Sequence, residues 1–219
     1  MLSKNEEDYL KALYHLQNEQ GMGEISSKSL ADHLEISAAS VSGMLKKLKG
    51  KDLVSYERYG KLGLTDKGES IAILLIRKHR LWETFLYSHM NFTWDEVHEV
   101  AEQLEHIHST KLIDELDRFL DYPQKDPHGD PIPDAKGEFD RVEAIHLAQL
   151  KVGEKCRLVK VSDGSVAFLK YLSQIGLALS SEIELVDQRE FDRSLVIRFN
   201  GKEESVSKTF AENVFVKRI

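Results

Sequence analysis

All four prolines of this 219-residue chain lie in one run, DYPQKDPHGDPIPDAKGE, starting at Asp121. That run can only be loop. Each proline fixes φ and removes a backbone donor, and the glycines and aspartates between them favour turns. It divides the chain. Before it, apolar residues recur at three- and four-residue spacing, as amphipathic helices require. From about residue 142 the pattern becomes short β-rich runs (KCRLVKVS, EIELVDQ, SLVIRFN, ESVSKTF, NVFVKRI) with one helical interruption, SVAFLKYLSQIG. The expected fold is mainly α, with a small barrel-like β domain at residues 142–219.

The first 65 residues break into short pieces. Residues 3–19 read as a helix with Tyr9, Leu10, Leu13 and Leu16 on one face. SSKSLADHL is a short helix begun by a serine, EIS a connector, and SAASVSGMLKKLKGKDLV a second short helix with Val41, Leu45 and Leu48 inward. LVSYERYGKLGLT then alternates and turns at Gly60, a two-stranded hairpin. Helix, helix, helix, hairpin is the order of a winged helix-turn-helix. Net charge is −7, yet Met44–Lys61 carries six Lys/Arg against two Asp/Glu. That local excess suits a phosphate backbone. Candidate DNA contacts are Ser27, the small residues Ser37, Ala38, Ala39, Ser40 and Ser42, which allow close approach to a groove, and Lys46, Lys47, Arg58 and Lys61 for phosphates.

Residues 66–91 predict a long helix whose aliphatic run, Ile71 to Ile76, exceeds what one small domain buries, so a partner subunit is expected on the helices of 66–120. This middle block is acidic, and within it VHEVAEQLEHIHS reads as a helix opened by a Thr93/Glu96 capping box. On it His98, Glu102, Glu105 and His106 fall within roughly a quarter-turn. Two readings stand: a solvated helix face, or donors for a divalent ion. His79 and Glu83, four apart on the long helix, extend the second reading.

No apolar run approaches a membrane span, and MLSKNEEDYL lacks the form of a signal peptide. With Cys156 as the lone cysteine, in an expected strand, the sequence predicts a cytoplasmic protein without disulfides. No nucleophile triad or phosphate-cradling glycine loop is present. A ferritin-like di-metal enzyme, the distant alternative, would need paired Glu-x-x-His motifs that the chain does not supply.

The motifs EDYLKALYHL, RKHRLWETFL, VHEVAEQLEHIHS, DPHGDPIP and YLSQIGLALSSEIEL together resemble the diphtheria-toxin-repressor and manganese-transport-regulator family of metal-dependent transcriptional repressors. The resemblance spans essentially the whole chain. It implies a winged helix-turn-helix DNA-binding domain (1–65), a helical metal-binding and dimerisation domain (66–141) and an SH3-like, FeoA-like β-barrel (142–219). It also implies a primary metal site of Asp8, Glu102, Glu105 and His106. Asp126, standing where some relatives place a loop cysteine that reaches this primary site, is its fifth implied ligand. His79, Glu83 and His98 match a second site, with Asp163 as the donor from the last domain. Lys11 stands where one manganese-branch pattern has a carboxylate. His108 and His128 match no ligand position and read as surface polar residues.

Oxygen-rich donors with one imidazole and no thiolate suit Mn(II), with Fe(II) next; Zn(II), Co(II) or Cd(II) can bind such donors in vitro. The implied mechanism is a clip. Metal joining Asp8 to the middle-domain ligands selects one orientation of the winged domain, and a homodimer then meets the half-sites of a palindromic operator, repressing manganese or iron uptake genes.

Overall fold

The computed structural model describes residues 2–19, 25–56, 62–140, 143–162 and 165–219. Arg58, Lys61 and Asp163 lie outside them. The chain forms two compact units. One comprises Met1–His79, Gln103–Asp114 and Pro133–Glu138, the other Arg80–Glu102, Glu115–Ile132 and Phe139–Ile219.

In the first unit, α1 (Lys4–Tyr14) opens where Glu6 accepts the Ser3 amide proton at 2.8 Å, and it runs into a π-helical stretch, His15–Glu19. Then come α2 (Ser27–His33) and α3 (Ala38–Gly50), each started by a serine side chain accepting a backbone N–H: Ser26 from Ser29, Ser37 from Ser40. The strands β1 (Val54–Tyr56) and β2 (Leu62–Leu64) pair antiparallel as the expected hairpin. Tyr9, Leu10, Leu13 and Leu16 of the first helical segment, Leu30 of α2, and Val41, Leu45 and Leu48 of α3 are all buried. The apolar periodicity therefore reads correctly onto the core.

The long helix is α4 (Asp66–His89), followed by α5 (Val97–Leu104) and α6 (Thr110–Phe119). Leu74 and Tyr87 of α4, Met90 just beyond it and Phe119 of α6 remain exposed. One expectation needs correction. The VHEVAEQLEHIHS segment is helical only to Leu104, so His98 and Glu102 ride on α5 while Glu105 and His106 lie in the turn after it. Lys78 ends the helix there, donating to the carbonyls of Glu105 at 2.7 Å and Ile107 at 3.5 Å. A cation on the orphan carbonyls of a helix C-terminus favours stopping.

In the second unit, β3 (Ile145–His146), β4 (Lys155–Val161), α7 (Val166–Ile175), β5 (Glu182–Gln188), β6 (Leu195–Phe199), β7 (Lys202–Val206), α8 (Lys208–Glu212) and β8 (Val214–Arg218) follow the loop. The strands form one antiparallel sheet, ordered β3-β8-β4-β5-β6-β7. Among the described residues β3 and β7 are its edges, so this is an open sheet, not the closed barrel expected. Its core is built from alternate residues such as Cys156, Leu158, Ile183, Leu185 and Ile197, together with Trp94, whose Nε1 donates to Ser173 Oγ at 2.7 Å. Among the described residues no helix is long and apolar enough to cross a membrane.

Candidate metal centre

The first unit gathers Asp8, Glu105 and His106, with one donor atom from each within 4.8 Å of the others. Asp8 comes from the second turn of α1; the other two come from the turn that Lys78 holds. His106 Nε2 lies 3.1 Å from Asp8 Oδ1 and 3.7 Å from Glu105 Oε1. Two donors about 2.1 Å from a common ion are roughly 3.0 Å apart at a right angle and about 3.4 Å apart at a tetrahedral one. The shorter separation falls between those values and the longer one slightly exceeds the tetrahedral figure, and the donor set of carboxylates plus one imidazole suits a divalent ion.

Three further groups surround this cluster. Glu7 is buried and its Oε2 lies 2.7 Å from His106 Nδ1, which orients the imidazole so that Nε2 faces Asp8. His108 reaches the other Glu7 oxygen at 3.7 Å. Lys11 donates to Glu105 Oε2 at 2.7 Å and lies 3.1 Å from His79 Nδ1, itself 2.5 Å from the same carboxylate oxygen. Burial lowers the pKa of the Lys78 ammonium, an effect that the carboxylates of Glu7 and Glu105 oppose.

Glu7 was legible in principle. It stands three residues before Leu10 and seven before Tyr14, so an acid sits on the buried stripe of α1. The resemblance drew attention to Asp8 instead.

Among the described residues, the other expected ligands fall in the second unit, except His79. Glu83, fully buried on α4, points Oε1 at His98 Nδ1, 3.4 Å away, and His98 Nε2 is 3.7 Å from Glu102 Oε1. Asp126 is buried in the proline-rich loop beside Arg80, whose Nε lies 3.6 Å from its Oδ2. Burial, with Asp130 and Glu83 adding negative charge, raises the Asp126 pKa well above the usual carboxylate range. His128, expected on the surface, is instead wholly buried, with its ring stacked on Trp94. The error has a physical cause: an imidazole in a polar loop looks solvated until the loop is folded onto a core.

The nucleic-acid candidates cluster on α3. Ser37, Ala38, Ala39, Ser40, Ser42, Lys46 and Lys47 are exposed, and Ser27 is half-buried at the start of α2. Lys47 also lies 3.3 Å from the buried Glu6 carboxylate.

A helix-turn-helix with its hairpin, carrying in the same unit a carboxylate and imidazole cluster that could hold a divalent ion, is the pattern of a metal-dependent DNA-binding protein. Residues 1–62 match the iron dependent repressor N-terminal DNA binding domain. Residues 65–134 match the iron dependent repressor metal binding and dimerisation domain, and 145–218 the FeoA domain. The diphtheria toxin repressor of Corynebacterium glutamicum is 28% identical over 224 residues, covering 97% of this chain and 96% of its own. A solved manganese-dependent transcriptional repressor in complex with manganese has a TM-score of 0.89 at 33% identity, over 97% of this chain and 99% of that one. The manganese regulator SloR has a TM-score of 0.80 at 36% identity, over 100% of both chains. The chain belongs to the diphtheria-toxin-repressor family of metal-dependent transcriptional repressors, which are not enzymes.

Proposed function

We propose that this repressor answers to Mn(II) and controls genes for metal-ion uptake, with Asp8, Glu105 and His106, joined by Glu102, as its regulatory ion site. The donor chemistry carries the reading: hard carboxylate oxygens, one imidazole and no thiolate favour Mn(II) over softer partners. The chain's one thiol is out of play, because burial in β4 pushes the Cys156 thiol up to about 12 and keeps it protonated. Two of the most similar solved proteins are named for manganese. Fe(II) is the second reading, since the same donors accept it and the matched domain descriptions name iron.

A bound divalent ion supplies the charge that lets these acceptor groups share one point. Asp8 ties α1 to the turn after α5, which favours one disposition of the neighbouring α3. The exposed small residues of α3 then meet the groove, with Lys46, Lys47, Arg58 and Lys61 at phosphates. A two-fold dimer through the helices of 66–120 implies a palindromic operator. His79, Glu83, His98 and Asp163 form the second site in this reading, and the chain divides at 1–65, 66–141 and 142–219. Asp126 is the proline-rich loop's candidate ligand of the regulatory site in this reading.

Anisotropy titrations of an operator fragment, with Mn(II), anaerobic Fe(II), Zn(II) and Co(II) at buffered free concentrations, test the reading. Mn(II) should raise DNA affinity at levels that leave the other ions' sites in competition. Activation by Fe(II) alone would replace manganese with iron.

A further inference from the structure

We propose that Glu6 is the positioning residue that carries the ion's hold on α1 through to α3, the helix offered to DNA. The inference rests on the reading of Asp8 as a ligand of the regulatory ion. It concerns another face of the same helix. Glu6 and Asp8 are two positions apart on α1, so their side chains project about 160° apart around its axis.

On the Asp8 side, α1 and α3 face each other across a cavity of about 420 Å³. Asn5, Asp8 and Tyr9 line it from α1, Ser40 and Met44 from α3. Across such a gap the close contacts that would make one helix follow the other are missing. Ser40, Met44 and Lys47 of α3, with Lys51 just beyond it, recur at three- and four-residue spacing. One face of α3 therefore runs from the cavity to Glu6.

There the gap is bridged. Glu6 is 1% exposed, and its Oε1 lies 2.6 Å from Lys51 Nζ and 3.3 Å from Lys47 Nζ. The other oxygen, Oε2, accepts the Ser3 N–H at 2.8 Å and the Ser3 hydroxyl at 3.2 Å. One carboxylate is thus tied to the first turn of α1 and to the end of α3. It stays with its cations because withdrawal would leave a buried charge uncompensated.

The same end of α3 is fastened on its other side to α4. Thr65 donates its hydroxyl to Asp52 O at 2.9 Å and its N–H to Leu53 O at 3.1 Å, and Lys67 donates to Lys51 O at 3.1 Å. At Gly68 a Cβ would fall 2.0 Å from Leu53 O, so α4 meets the turn after α3 backbone to backbone. Lys51 stands where α1, α3 and α4 converge. With that joint held by α4, a displacement of α1 passed through Glu6 turns α3 about its C-terminal end. The 13 residues of α3 span about 20 Å, so Ser37 to Ser42, farthest from the joint, move farthest.

The test measures operator-fragment affinity of the full chain by anisotropy, with and without saturating Mn(II), and Mn(II) affinity of the free protein by calorimetry. The ratio of the two DNA affinities is the Mn(II) gain, from which a phosphate contact altered equally in both states cancels. Glu6→Gln should hold Mn(II) affinity within about twofold yet cut the gain roughly fivefold or more, the scale of an ordinary coupling between sites. Lys51→Met, which keeps the stem of a partly exposed side chain, should cut the gain as much, and the double variant no further. A merely structural Glu6 would lower the melting temperature and leave the gain untouched. That outcome overturns the proposal, as does a full gain in Lys51→Met. Should circular dichroism show Glu6→Gln unfolded, Lys51→Met alone decides. Asp8→Ala, measured beside them, separates the two readings. If it keeps the gain, the ion site and this inference fall together; if it loses the gain while Glu6→Gln keeps it, this inference falls alone.

Discussion

Lys11 places an ammonium group among residues otherwise suited to hold a metal ion. It is 2.7 Å from a Glu105 oxygen that is wholly buried, so its charge is poorly screened. A divalent ion approaching Glu105 competes with that charge-assisted hydrogen bond, worth about 1.5–3 kcal/mol. The Lys11→Met variant, which keeps the stem and removes the charge, should therefore bind Mn(II) roughly 10- to 100-fold more tightly. Electron paramagnetic resonance titration of free Mn(II) measures this directly. Weaker binding in the variant would mean that Lys11 supports the site instead of competing for it. Glu7 acts differently, since its contact is to His106 Nδ1, on the far side of the ring from Asp8.

At the scale of elements, α1 and α3 are joined by a single buried carboxylate. Glu6 Oε1 lies 2.6 Å from Lys51 and 3.3 Å from Lys47, at the C-terminal end of α3. The Lys51 ammonium and the Ser3 amide, helped by Lys47, outweigh burial and hold the Glu6 carboxyl at about 2. A folded-state pKa below the unfolded value contributes stability above about pH 4.5 that is lost as pH falls toward 2. Because both lysines are partly exposed, the contribution is about 1–2 kcal/mol after screening. Urea denaturation between pH 6 and 3 should show that loss in the wild type and a flatter profile in Glu6→Gln. The same pairing separates two neighbouring lysines in DNA binding. Lys46→Ala should lower the salt slope of duplex binding by about one, the signature of one lost phosphate contact. Lys47→Ala should lower it less, because Glu6 already neutralises part of its charge. Equal slopes for the two variants would remove Glu6 from that role.

For the whole molecule, the decisive variant is Asp8→Ala. Glu102, Glu105 and His106 remain as donors, so Mn(II) should still bind, about tenfold or more weaker, while operator affinity stops responding to it; a ligand without differential affinity for two states shifts neither. Calorimetry and anisotropy on the same preparation check the two halves, and an intact DNA response would defeat the clip. Much of this protein was legible from spacing and composition alone. Helices, hairpin, proline-rich loop and β-rich tail are local or nearest-neighbour properties, and apolar periods of 3.6 and 2 report them without any knowledge of what packs on what. The family resemblance likewise directed attention to Asp8, Glu105 and His106. What stayed hidden depends on distant parts of the chain meeting. The end of α5 at Leu104 is set by Lys78, 26 residues earlier. The open edges of the β sheet follow from which strands pair, and not from how each strand reads. Lys11 beside Glu105 and His128 beneath Trp94 bring together residues 94 and 34 positions apart. Sequence determined which faces seek burial; only the tertiary structure decided which charged groups were carried in with them, because a buried charge persists only where folding has placed its partner.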